Sequence, residues 1–129
     1  MLRQDFTIED TGWWITVFHS AMPDELGEVA AVLIDSGESA RKTAEAIAVL
    51  QRPNTGYTYT NFYNKRIVSV IGHATSSRQL ANTLAHELKH IVEHLSTYYG
   101  VNPKSEQAGY LQGYVGARII LFAYEKEKK

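Results

Sequence analysis

The sequence predicts an α+β fold with a small, mainly antiparallel sheet of about three strands and its helices gathered mainly after it. Three observations carry that reading. Strand-like runs dense in aromatic and β-branched residues are few and short; helical spacing fills the last fifty residues; and no internal repeat or low-complexity block interrupts the order. At 129 residues the chain fits one domain, 1–129, with a sizeable core.

Taken in order, "GWWITVFHSA" closed by "MPDE" reads as a strand near Trp13 to His19 followed by a turn. The pattern Leu26, Val29, Ala30, Val32, Leu33 suits a short helix from Asp24 to Asp35, ended by Ser36-Gly37. A second helix is expected from Glu38 to Gln51, stopped before Pro53. After "RPNTG" come "YTYTNFY" and "RIVSVIG", separated by Asn64-Lys65, a pair that fits a tight hairpin. Thr75, Ser76 or Ser77 can cap a helix running to about Tyr98, and Gly100 can close it. In "NPKSE", Asn102 as cap and Pro103 in the first position start a last helix reaching about Tyr124. The aromatic cluster Trp13, Trp14 and Phe18 is most simply core.

Composition excludes several classes of function. The formal charge of −1 leaves no basic patch of the size nucleic acid requires. The absence of cysteine rules out disulfides and thiolate metal sites, so any metal must be held by His, Glu or Asp. The opening "MLRQDFTIED" lacks the apolar core of a secretory signal and no segment approaches the length of a membrane span, so a cytoplasmic protein is expected.

The chemistry lies in "NTLAHELKHIVEHL", Asn82 to Leu95. It contains H-E-x-x-H, with His86 and His90 four residues apart and Glu87 beside them. On a helix the two histidines lie about 40° apart around the axis and roughly 6 Å along it, so both imidazoles can converge on one ion. Glu87 then stands where a general base takes a proton from metal-activated water. Around the same helix Leu80, Leu84, Leu88, Ile91, Val92 and Leu95 share one face, and Thr83, His86 and His90 share the opposite one.

Two imidazoles need a third protein ligand. His94 lies about 12 Å along the helix from His86, and Glu93 is also displaced by its rise, which leaves both as weaker candidates. Glu106 is the better one, because a reversal at "YYGVNP" returns the last helix alongside. Its stripe Glu106, Gly109, Gly113, Gly116 offers a glycine seam for close approach. His73, after "RIVSVIG", and Tyr110, four residues after Glu106, are further candidates as transition-state donors.

These residues resemble the gluzincin-type zinc metallopeptidases: "HELKH" is similar to their two histidines and base, and "EQAGYLQG" to their ligand-bearing helix. The compact intracellular ImmA/IrrE-type proteins of phage and stress response are nearest in style, over roughly Tyr57 to Tyr124. The resemblance implies a minimal zincin-like domain holding one zinc ion on His86, His90 and Glu106, with Glu87 as base. The implied activity is that of a zinc-dependent hydrolase, most simply a peptidase. Its peptide or protein substrate would be added as a strand along Arg66 to Gly72, with neither nucleic acid nor membrane as partner. The alternative is a catalytically silent, metal-stabilised interaction or regulatory domain of phage or mobile-element origin, and a second rival is a metal-free helical protein.

Overall fold

The computed structural model describes residues 1–102 and 104–127. The chain runs β1 (Leu2–Thr7), β2 (Trp14–Ala21), a 3-10 turn (Pro23–Glu25), α1 (Leu26–Asp35), α2 (Ala40–Leu50), β3 (Gly56–Asn61), β4 (Arg66–Gly72), α3 (Ser77–Tyr98) and α4 (Glu106–Glu127). The α+β class is as expected, but the sheet has four strands rather than about three, in the order β1-β2-β4-β3. It is mixed: β1 with β2 and β3 with β4 are antiparallel, while the central pair β2 and β4 is parallel.

The helices do not gather after the sheet on one side; they cover both of its faces. Alternate residues of β2 and β4 point to opposite sides. Ile15, Val17, Ile67 and Ile71 pack with Leu88, Ile91, Val92 and Leu95 of α3 and with Val115 and Ile119 of α4. Phe18, Val68 and Val70 pack instead with Leu26, Val29 and Leu33 of α1 and Leu50 of α2. Every residue of β4 is buried, which explains why "RIVSVIG" is an almost unbroken apolar run: a strand covered on both faces has no polar side to alternate with. Trp13 and Phe18 are fully buried as expected, whereas Trp14 is exposed and lies under the Arg66 guanidinium.

This topology also corrects the edge. Arg66–Gly72 is an interior strand, hydrogen-bonded to β2 on one side and β3 on the other, so it has no free backbone row for an added strand. The edges are β1 and β3. The hairpin joining β3 to β4 pairs Asn61 with Arg66, so its loop is Phe62 to Lys65 and not the tight Asn64-Lys65 pair. Asn61 Oδ1 accepts from the Asn64 amide at 3.0 Å, and Lys65 takes φ 53°, which together turn the chain.

Both long helices show their signals in the sequence. Ser76 caps α3, its hydroxyl accepting from Gln79 N at 3.1 Å. Gly100, at φ 68°, ends α3 by letting the Val101 amide turn back to the Ser96 carbonyl. The last helix starts later than expected, at Glu106, with Ser105 Oγ accepting from Ala108 N at 3.2 Å. Asn102 instead accepts from the Lys104 amide, and the first-position role expected of Pro103 falls outside the described residues. Among the described residues, no helix is long and apolar enough to cross a membrane.

His19 of β2 ties the sheet to α4. Its ring stacks on Phe122 with centroids 5.0 Å apart, and its Nε2 donates to Gln4 Oε1 at 3.0 Å, while Gln4 Nε2 donates to the Arg118 carbonyl. Burial pushes the His19 imidazole down to about 4 from 6.5, so the folded state keeps it neutral. Below pH 6.5 the unfolded chain therefore takes up a proton that the folded chain refuses until about pH 4. Stability is expected to fall across that window by on the order of 3 kcal/mol from this group, with no contribution from it above pH 6.5. Urea midpoints measured at pH 7 and pH 4.5 check this, and His19→Gln should flatten that part of the profile.

Candidate metal centre

The site is built between α3 and the edge strand β3. On α3, the spacing of four brings His86 Nε2 and His90 Nε2 to 3.1 Å from one another, their rings edge to face. His86, Glu87 and His90 form a group in which one ligand atom from each lies within 4.8 Å of the others, and among the described residues it is the only such group of three. They line a cleft of about 600 Å³ together with Gly56, Tyr57 and Thr58 of β3.

Two imidazole nitrogens bound tetrahedrally to one ion at ordinary metal–nitrogen lengths sit about 3.3 Å apart. The observed 3.1 Å is close to that separation, and without a metal the same approach is an imidazole N–H donating to its neighbour. The nitrogens are therefore placed as metal ligands require, and the His-Glu-His group can hold a metal ion.

Glu87 is buried, and the strand opposite decides how it is held. The alternation of "YTYT" turns Tyr57 and Tyr59 toward the α1/α2 side, where both pack on its core, and turns Thr58 and Thr60 toward α3. Thr58 Oγ1 donates to Glu87 Oε1 at 2.7 Å. Because that hydroxyl proton is committed, the fully buried Ser69 hydroxyl of β4 is the donor in its 2.9 Å bond to Thr58. A chain of hydroxyls thus runs from the sheet interior to the carboxylate. Thr60 makes the equivalent contact with His94 Nδ1 at 2.7 Å, leaving His94 half-buried rather than freely exposed. Burial and the neighbouring His90 hold the His94 imidazole below its usual range, with Glu93 opposing them.

Gly56 is required by close approach. A Cβ built there would meet Glu87 Oε2 at 2.7 Å and its Cδ at 2.8 Å. Gly56→Ala is expected to displace the carboxylate from Thr58 and to destabilise the fold by about 1–3 kcal/mol, measured by urea denaturation.

Glu106 is not brought to this group. The seam between α3 and α4 is narrower than the glycine stripe suggested: only Gly116 faces α3, with a Cβ there 3.1 Å from Leu88, while Gly109 and Gly113 have open space around them. The connection between the helices is short, so α4 returns along α3 with Gly116 level with Leu88. About 15 Å of helix separates Gly116 from Glu106 and Leu88 from Tyr98, which puts Glu106 near the end of α3 and roughly 12 Å past His90. There its carboxylate accepts from Tyr110 Oη at 3.2 Å, both side chains exposed. Glu93 lies near Lys89, at 3.8 Å. His73 lines a separate hollow with Ser76 and Ser77 at the start of α3, not the cleft.

Sequence reasoning missed Thr58, Ser69 and Gly56. The alternating "YTYT" was the available signal, but which strand lies beside α3 depends on the strand order. No family model matches the chain, and neither a curated protein nor a solved structure is significantly similar to it.

Proposed function

We propose that the protein is a zinc-dependent hydrolase acting on peptides, with His86 and His90 as its two protein ligands, Glu87 as general base, and the position expected of Glu106 left to water or substrate. The observation that carries this is the convergence of the two imidazole nitrogens at 3.1 Å on a cleft whose opposite wall is an edge strand. Zinc leads among the metals because two histidines at helical spacing with an intervening glutamate suit its preference for nitrogen ligands. When bound it supplies Lewis acidity toward a carbonyl and lowers the pKa of water.

The remaining work falls to the chain. Each imidazole presents Nε2 to the cleft. Glu87 accepts the proton released as water attacks, and the Thr58 hydroxyl fixes which carboxylate oxygen is free to do so: Oε1 is engaged, Oε2 is not. The unpaired backbone of β3, the sheet edge nearest the histidines, can receive an extended peptide by main-chain hydrogen bonds, taking over the role expected of Arg66–Gly72. Burial of Glu87 limits its contact with bulk water.

A second reading is supported by the position of Glu106. With that carboxylate about 12 Å beyond His90, the chain presents two histidines and Glu87 as its group of three, an arrangement also suited to a metal that braces α3 against β3 without turnover. Incubating the zinc-loaded protein with casein and with a pool of blocked peptides, with and without chelator, separates the two. Chelator-sensitive fragments support the hydrolase. Intact substrates, together with a melting temperature that rises with zinc, support the brace.

A further inference from the structure

The cleft does not end at the histidines. His94 follows His90 along α3, their ring centroids 6.1 Å apart, and Phe62 follows His94 at 6.1 Å. Beyond it Phe62 stacks on Tyr98 with centroids 6.4 Å apart and planes within 12°. This is a line of rings leading from the candidate metal centre onto a shelf formed by the β3–β4 turn and the last turn of α3.

The shelf is exposed where a soluble surface has no reason to be aromatic. Phe62 is 43 % exposed, Tyr98 40 %, Tyr99 48 % and Tyr63, at the turn, 96 %. Asn61 and Asn64 make this turn, which gives no local reason for the two adjacent aromatic residues between them, and clustered exposed apolar surface marks contact with something else. The shelf is also braced from within the fold. Fully buried Trp13 lies edge-on beneath both Phe62, at 6.3 Å, and Tyr98, at 5.2 Å, and the Asn61 side chain pins the turn. Such preorganisation lowers the entropic cost of receiving a ligand.

Resting on the hydrolase reading, we infer that this aromatic shelf is the subsite that selects substrate, and that it takes an aromatic or large aliphatic side chain three to four residues from the cleaved bond. The spacing follows from the helix. Phe62 lies between His94 and Tyr98, about 12 Å along α3 from the midpoint of His86 and His90, and an extended chain advances about 3.3 Å per residue. The occupant is a peptide rather than a second copy of the chain because the shelf adjoins the cleft through His94, which lines the cleft and meets Phe62, so one extended segment along β3 spans both.

The test uses zinc-loaded Glu87→Gln protein, which binds without turnover, and a pool of blocked octapeptides with random interiors. Mass spectrometry of the bound fraction is expected to show about tenfold enrichment of Phe, Tyr, Trp or Leu over Ala, lost in Phe62→Ala and Tyr98→Ala combined with Glu87→Gln, at unchanged zinc content. Cleavage of the same pool by the unmodified protein should place that residue three or four positions from the broken bond. No enrichment, enrichment indifferent to both variants, or cleavage at a different spacing overturns the inference. So does a concentration-dependent dimer that is the only property Phe62→Ala changes. Enrichment that depends on Phe62 without any cleavage keeps the peptide subsite and removes the hydrolase reading instead.

Discussion

Protein purified without chelator or affinity metal is expected to carry about one zinc per chain, and His86→Ala or His90→Ala to lower zinc affinity by about a hundredfold or more. The reason is geometric. The imidazoles are already 3.1 Å apart on one helix, so binding requires little rearrangement, and His94, the next histidine along α3, is engaged by Thr60 through Nδ1. Glu106→Ala decides between the reading of the sequence and that of the structure. The sequence expects it to lose the metal. The position of Glu106 near the end of α3, bonded to Tyr110, expects zinc content to stay unchanged. Elemental analysis of the three variants beside the unmodified protein is sufficient. Zinc retained in both histidine variants would remove the metal centre, and zinc lost with Glu106 would mean that α4 shifts along α3 on binding.

The second large effect concerns Glu87. Glu87→Gln is expected to keep the fold and the zinc while lowering peptide cleavage by about a thousandfold, within the range that a general base contributes. Gln retains an oxygen that can accept from Thr58, so the hydroxyl chain from Ser69 through Thr58 stays satisfied and only basicity is lost. Glu87→Ala is a different experiment. It leaves the Thr58 hydroxyl facing a cavity, and should add a stability loss of about 1–3 kcal/mol to the loss of activity. Reading kcat and zinc stoichiometry together on the Gln variant separates base from brace: equal cleavage in Glu87→Gln and the unmodified protein would end the case for Glu87 as catalyst.

The candidate site was legible where it depends on local spacing. H-E-x-x-H on a helix places His86 and His90 together whatever surrounds them, because four residues make one turn and a little more. The cap at Ser76 and the stop at Gly100 were readable for the same reason: each is a contact within one turn of chain. What failed were statements about neighbours distant in sequence. The glycine stripe Gly109, Gly113, Gly116 was a sound argument for close approach, but only Gly116 meets α3, beside Val115 and Ile119, whose entry into the core sets the rotation of α4. The expectation for Glu106 rested on the same seam, and the register between two antiparallel helices is a packing result that no spacing within either helix contains.

Strand order shows the same division. Residues 2–7 and the inner position of β4 follow from pairing, and pairing is decided by which apolar faces find cover, not by any one strand's composition. The almost unbroken apolar run of "RIVSVIG" was the one visible warning that it is covered on both sides. By itself, then, the sequence determined most of the elements, the cap and stop of α3 and the two-histidine grip, all of them short-range consequences of backbone geometry. Tertiary structure alone decided that β3 rather than β4 borders the cleft, that Thr58 and Gly56 hold Glu87, and that Glu106 stands apart. Those outcomes depend on how two layers of helices divide the two faces of one sheet, and that division minimises exposed apolar area over the whole chain at once.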